Sequence, residues 1–290
     1  MAGYGILANG MIPDLVLYHA NCPDGFAAAW AIWKKFPSAV FVPAEHGQPP
    51  PVDCVGRHVV IVDFSYPRAL LEEMVKSAAS LQVLDHHITA QAALQGLPYV
   101  HFDLKKSGAV LAWEWAHNSP PPWLLQYVQD KDLFTWRLPA SREVTAALSS
   151  YPYDFKVWDS LEQTTLEKEG RAILRYERKT IEQILQEKVL VRFEGETVPC
   201  VHSAVMTSQI GEQLSSTCPF CLIWHDRNGR RYFSLRSKEG GTDVSKIAVK
   251  YGGGGHTHAA GFSVSLGDIG APPANGSTPG LPIFPATETK

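Results

Sequence analysis

The chain has 290 residues, 45% of them hydrophobic, and a formal charge of −3, a length and composition that suit a globular protein of two domains. No apolar run approaches the ~20 residues of a membrane helix, and the first residues carry neither a basic cluster nor a small-residue cleavage pattern, so no signal peptide is expected. Five cysteines, odd in number and scattered, argue against a disulfide framework and for a reducing cytoplasm. The small negative charge disfavours a stable complex with long nucleic acid but not a short phosphate ligand.

Leu15-Val16-Leu17-Tyr18 reads as a strand, and a helix pattern follows from Phe26 to Lys35. Ala39-Val40-Phe41-Val42 is the second strand and Val59-Val60-Ile61-Val62 the third, its β-branched run suiting a strand buried on both faces. Pro67 opens a helix with an apolar stripe at Leu70, Leu71, Met74, Val75 and Ala78. Leu81-Gln82-Val83-Leu84 and Tyr99-Val100-His101-Phe102 are further strands, and helices are predicted from Ser107 to His117 and from Pro122 to Gln129. Strands separated by helices imply right-handed crossovers and an open α/β fold with a mainly parallel sheet.

After Tyr151-Pro152 the pattern changes to a long charged helix, Leu166 to Val189, whose charges read as a solvated face. Strands return at Val189–Phe193, Phe220–Trp224 and Arg231–Leu235, then a helix at Val244–Tyr251, a glycine run and a last strand at Gly261–Val264. The expected organisation is an N-terminal domain over residues 13–155, a connecting helix over 156–189, a smaller α/β domain over 190–267 and a disordered tail over 268–290. Cys218-Pro219-Phe220-Cys221 has no second cysteine pair at zinc spacing and reads as ordinary strand sequence.

Ligands of an open parallel sheet bind outside the carboxyl ends of its strands. The first strand ends at His19, followed by Cys22 and Asp24; the third ends at Asp63; the fourth ends at Asp85-His86-His87. An acid directly after a buried β-branched run is costly unless it is paired or holds a cation. Carboxylates and imidazoles gathered at adjacent strand ends suit divalent ions such as Mn²⁺ or Mg²⁺. Single histidines outside this pattern, namely His46, His58, His117, His202 and His225, read as surface or satisfied core residues.

Leu84-Asp85-His86-His87 resembles the naming motif of the DHH phosphoesterase superfamily, which includes RecJ-like exonucleases and oligoribonucleases, and Val62-Asp63-Phe64 resembles the motif before it. Gln129-Asp130-Lys131-Asp132-Leu133-Phe134 resembles a later motif, with Asp130 preferred to Asp132 because the family's acid commonly stands four residues before a Phe. Gly252-Gly253-Gly254-Gly255-His256 with Ala259-Ala260-Gly261-Phe262, and Arg236, resemble the DHH-associated domain. The resemblance runs from about Leu15 to Val264 with the motifs in order.

It implies hydrolysis of phosphodiester bonds in short oligonucleotides or dinucleotides by two divalent metal ions, Mn²⁺ foremost and Mg²⁺, Zn²⁺ or Fe²⁺ as alternatives. Asp63 would bridge the ions, His19 would serve one, and Asp24, His86 and Asp130 the other. His87 would contact the substrate phosphate and Asp85 would orient a histidine, while Arg236, His256 and the backbone of Gly253, Gly254 and Gly255 would hold a further phosphate. The chain departs from the family's first motif, since Cys22 stands where an acid is usual. Either Cys22 ligates as thiolate, favouring softer ions, or it is a small buried residue and His19, Asp63 and water hold the first ion. Two other readings stand beside this one: a phosphatase on 3'-phosphoadenosine phosphate, polyphosphate or cyclic dinucleotides, and a non-catalytic nucleotide-binding member with a degraded metal site. A homodimer is compatible with all three.

Overall fold

The computed structural model describes residues 12–268. The expected N-terminal features before Ile12 and the tail after Asp268 lie outside the described residues. The chain divides into two compact units, with the break between Leu174 and Arg175.

The first unit comprises β1 (Leu15–His19), α1 (Pro23–Trp33), β2 (Val40–Ala44), β3 (His58–Val62), α2 (Arg68–Ser77), β4 (Ser80–Asp85), α3 (Ile88–Leu94), β5 (Val100–Phe102), α4 (Gly108–Ala116), α5 (Trp123–Asp132), α6 (Ser141–Leu148), α7 (Phe155–Asp159) and the beginning of α8 (Gln163–Ile184). The five strands are all parallel, in the order β2-β1-β3-β4-β5. The central strands β1, β3 and β4 are largely buried on both faces, and this explains their apolar sequences. Val16, Val60, Val62 and Leu84 face a core with α1, α4, α5 and α6, whereas Leu15, Leu17, Val59, Ile61, Leu81 and Val83 face a second core with Leu71 and Met74 of α2. The chain leaves β1 toward β2 on one side and resumes at β3 on the other. The carboxyl ends of β1 and β3 therefore flank the topological switch point, where an open α/β sheet offers its crevice.

The second unit contains β6 (Val189–Phe193), β7 (Glu196–His202), α9 (Thr207–Ser215), β8 (Cys221–Arg227), β9 (Arg230–Arg236), α10 (Val244–Lys250), β10 (Gly254–His256) and β11 (Ala259–Ser265). Its six strands run β10-β11-β9-β8-β7-β6, antiparallel except for the β7–β8 pair. α8 belongs in part to each unit: Leu166 is buried in the core of the first, and Ile181 in a cluster of the second with Val201, Ile210 and Ile223. No helix among the described residues is long and apolar enough to cross a membrane.

Candidate metal centre

The site is built at the carboxyl ends of β1, β3 and β4, with contributions from α1 and α5. Asp63 follows β3 directly and has a left-handed backbone, φ 61°, a conformation aspartate tolerates at a cost of roughly 1–2 kcal/mol. Its amide donates to the Leu84 carbonyl at 2.9 Å. The side chain is 1% exposed, with Oδ2 3.3 Å from His19 Nδ1 and Oδ1 3.1 Å from His86 Nε2. Burial opposes its charge, but the hydrogen bonds with His19 and His86 hold the carboxyl well below the usual carboxylate range.

His86 Nε2 lies among three carboxylates: Asp63 Oδ1 at 3.1 Å, Asp24 Oδ2 at 3.6 Å and Asp132 Oδ2 at 3.6 Å. Burial works against the imidazolium, yet Asp63, Asp132 and Asp24 raise its pKa to about 10. Asp24 also anchors α4, accepting from the Gly108 amide at 2.6 Å and the Ala109 amide at 3.1 Å. Burial, then the carboxylates of Asp63 and Asp132, push Asp24 well above its ordinary value. Burial also raises Asp132, with Asp63 adding to the effect and His86 opposing it. One imidazolium thus faces more negative charge than it neutralises.

Asp85 has a different task. Its Oδ1 accepts from the His86 amide at 2.7 Å, the His87 amide at 3.2 Å and His87 Nδ1 at 2.7 Å, while Oδ2 accepts from Ser65 Oγ at 2.6 Å. Against the effect of burial, these bonds keep the Asp85 carboxyl below its ordinary value. Asp85 thus holds the His87 ring through Nδ1, and His87 begins α3 as its N-cap residue.

The position of Asp130 corrects the sequence reading. Its carboxylate accepts from Thr135 Oγ1 at 2.5 Å, the Arg137 amide at 2.8 Å and the Leu138 amide at 3.1 Å, and so organises the loop after α5. Asp132 stands at the cluster instead, and its Oδ2 is buried without a hydrogen-bond partner. Residues two apart on a helix point about 200° apart, so only one of this pair can face the site.

Wholly within the described residues of the first unit two donor groups emerge, His19 with Cys22 and Asp63, and Asp24 with Asp63 and His86; within each, the ligand atoms lie within 4.8 Å of one another. Asp63 belongs to both. A divalent cation fits this set on chemical grounds, because buried carboxylates crowd a single imidazole and Asp132 leaves a buried oxygen without a hydrogen bond. Burial, with Asp63 and Asp24, raises the Cys22 thiol well above its ordinary value, so thiolate character there depends on a cation.

Two residues of the site were not among those expected there. Gly108, at the start of α4, admits Asp63 and Asp24: a Cβ there would lie 2.6 Å from Asp63 Cβ, 2.8 Å from Asp63 Oδ1 and 2.9 Å from Asp24 Oδ2. Only tertiary contact reveals this need. His46, read as ordinary, has its ring centroid 4.9 Å from that of His19. It stands just past the end of β2, so the strand-end rule carried one strand further would have marked it. The other histidines read as ordinary do have ordinary surroundings: His58 meets Ser80, His117 stacks on Trp113, His202 packs on Trp224 and His225 stacks on Tyr232.

In the second unit, Arg236 ends β9, with Nη1 donating to the Leu235 carbonyl at 2.9 Å and Nη2 to Ser208 Oγ at 3.4 Å. The glycine run closes α10 and forms the edge strand β10. Gly252, with φ 75°, closes α10, and the Gly253 amide donates to the Ala248 carbonyl at 2.9 Å, so that amide is engaged in ending the helix. Gly254, Gly255 and His256 form β10, paired with Gly261, Ala260 and Ala259. The two cysteines of the Cys-Pro-Phe-Cys stretch bond to backbone carbonyls, Cys218 to Leu214 and Phe220, and Cys221 to Gly211.

The fold defines the class. The DHH domain of a member of the s1p family of ribosomal proteins matches with a TM-score of 0.50 at 13% identity, covering 88% of this chain and 83% of that one, and the chain has a DHH-domain fold. No family model matches it. The uncharacterized protein R106 of Acanthamoeba polyphaga mimivirus is 31% identical over 284 aligned positions, 87% of this chain and 68% of R106. The chain belongs to the family of that protein. The oligoribonuclease NrnB of Bacillus subtilis (strain 168) is 32% identical over 114 residues, 39% of this chain and 28% of NrnB.

Proposed function

We propose that the protein is a metal-dependent phosphoesterase that hydrolyses phosphodiester bonds in short oligonucleotides or dinucleotides. The observation that carries this reading is Asp63, shared by two donor groups and held between His19 and His86, with Asp24 and Asp132 beside them. His19, Asp63 and Cys22 would hold one divalent cation, and Asp24, Asp63, His86 and Asp132 a second, with Mn²⁺ the preferred ion for such a donor set. Bound cations of this kind polarise phosphoryl oxygens and lower the pKa of water.

The chain's own residues supply the rest. Asp85 holds the His87 ring through Nδ1 at 2.7 Å, and although burial works against a charged ring, Asp85 raises the His87 pKa above its ordinary value. That ring is suited to donate to a phosphoryl oxygen. Asp24, fastened to the amides of Gly108 and Ala109, keeps one carboxylate at a constant place beside Asp63. Arg236 and His256 would give the second unit its own contacts with a phosphate.

The substrate class draws support from the similarity to an oligoribonuclease over 114 residues and from the net charge of −3, which disfavours long nucleic acid. Purified protein with Mn²⁺ is expected to release mononucleotide from a labelled di- or trinucleotide, and Asp63→Ala to abolish the release. If Asp63→Ala matches the wild type, the reading is wrong. A panel including 3'-phosphoadenosine phosphate, polyphosphate and a cyclic dinucleotide distinguishes the oligonucleotide reading from the phosphatase one.

A further inference from the structure

His46 is exposed at the apex of a tight turn that follows β2. The Gln48 amide donates to the Glu45 carbonyl at 3.3 Å, and Gly47 supplies a φ of 76°, as a type II turn requires of its third residue. Two bonds tie this segment to the loop after β1: the Ala20 amide reaches the Ala44 carbonyl at 2.9 Å, and Asn21 Nδ2 reaches Glu45 Oε1 at 3.5 Å. The turn is therefore fastened to the segment that carries His19 and Cys22.

The imidazoles of His19, His46 and His87 form a triangle, with centroids 4.9 Å apart for His19–His46 and 6.2 Å apart for both His19–His87 and His46–His87. Phe64 lies beneath, 5.7 Å from His46 and 6.3 Å from His19, and it is fully buried. His19 and His87 have the buried carboxylates of Asp63 and Asp85 as partners, whereas His46 meets the apolar ring of Phe64 and faces outward. Among the described residues no hydrogen bond engages the ring nitrogens of His46. His46 also joins none of the donor groups with metal-ligand spacing, which separates its task from that of His19.

We propose that His46 contacts the substrate directly, donating from its imidazole to a phosphoryl oxygen opposite His87. Two ring donors 6.2 Å apart can span one phosphoryl group, each through a hydrogen bond of about 2.7–2.9 Å. Asp85 fixes His87 on one side, and the Glu45–Gln48 turn presents His46 on the other. The inference rests on the reading that this centre handles phosphate esters.

The test is titration of inorganic phosphate into Mn²⁺-loaded protein by calorimetry, with Mn²⁺ binding measured separately. His46→Ala is expected to weaken phosphate binding about tenfold or more, the loss of one hydrogen bond to a charged group, with Mn²⁺ affinity and stoichiometry unchanged. His46→Gln, which keeps an N–H donor, should recover part of that loss, and in turnover the Ala variant should lower kcat/KM by a similar factor. Phosphate binding by His46→Ala within twofold of wild type overturns the proposal, as does a parallel fall in Mn²⁺ affinity or a wild type that binds no phosphate. A wild type that binds phosphate yet hydrolyses none of the substrate panel defeats the phosphoesterase reading instead, and His46 is then judged on the phosphate titration.

Discussion

Replacing Gly108 by alanine adds one methyl group where the structure has room for none. The new carbon would stand 2.6 Å from Asp63 Cβ, 2.8 Å from Asp63 Oδ1 and 2.9 Å from Asp24 Oδ2. Ordinary contact requires roughly 1 Å more, so α4 must retreat or both carboxylates must turn aside. Overpacking of this kind costs about 1–3 kcal/mol, and alanine returns up to about 1 kcal/mol because it is the better helix former. The net loss is about 0–3 kcal/mol, a fall in melting temperature of at most roughly 12 °C for a unit of this size. The fold survives while the ligands shift. Disturbing groups that orient metal ligands lowers metal affinity by about 10–100-fold, and that is the expected loss for Mn²⁺. Calorimetric titration of Mn²⁺ into protein stripped with a chelator, alongside a thermal melt, reads both quantities. A dissociation constant within twofold of wild type, with unchanged stoichiometry, would refute the argument from close approach.

Asp130 and Asp132 separate loop structure from metal binding. Asp132→Asn should reduce Mn²⁺ binding with little change in stability, whereas Asp130→Ala should leave the donors of Thr135, Arg137 and Leu138 without their acceptor and cost about 2 kcal/mol in chemical denaturation; the opposite pattern would restore Asp130 as the ligand. The metal-free protein should also lose stability as pH rises. His86 has its pKa raised from 6.5 to about 10, so its contribution is fully present below about pH 6.5 and disappears as pH climbs through about 10. Asp24, pushed above its ordinary value, acts in the same direction. Melting temperatures of chelator-treated protein between pH 6.5 and 10 check this, and a flat or rising profile contradicts it. Together with Asp63→Ala and its loss of mononucleotide release, these experiments probe each part of the centre separately.

The sequence by itself determined the five strands of the first unit, the helices α1, α2, α4 and α5 but not α3, α6 or α7, and the residue types at the ends of β1, β3 and β4. The strands and their ends were legible for the same reason: a parallel strand buried on both faces must be apolar throughout, so the first ionisable residue after Val59–Val62 stands out as the strand end. Elements without that contrast escaped notice. Thr207–Ser215 buries little more than Ile210 and Leu214 along its length, and Glu196–His202 contains Pro199, which weakens a strand pattern. Only the tertiary structure decided which donors meet. The strand order puts β1 beside β3 and brings His19 against Asp63, residues 44 positions apart in the chain. The rotation of α5, set by packing Leu124, Leu125, Tyr127 and Val128 into the core, turns Asp132 rather than Asp130 to His86. A linear pattern records how often side chains return to a face, but the direction of that face is set by the neighbours it packs against.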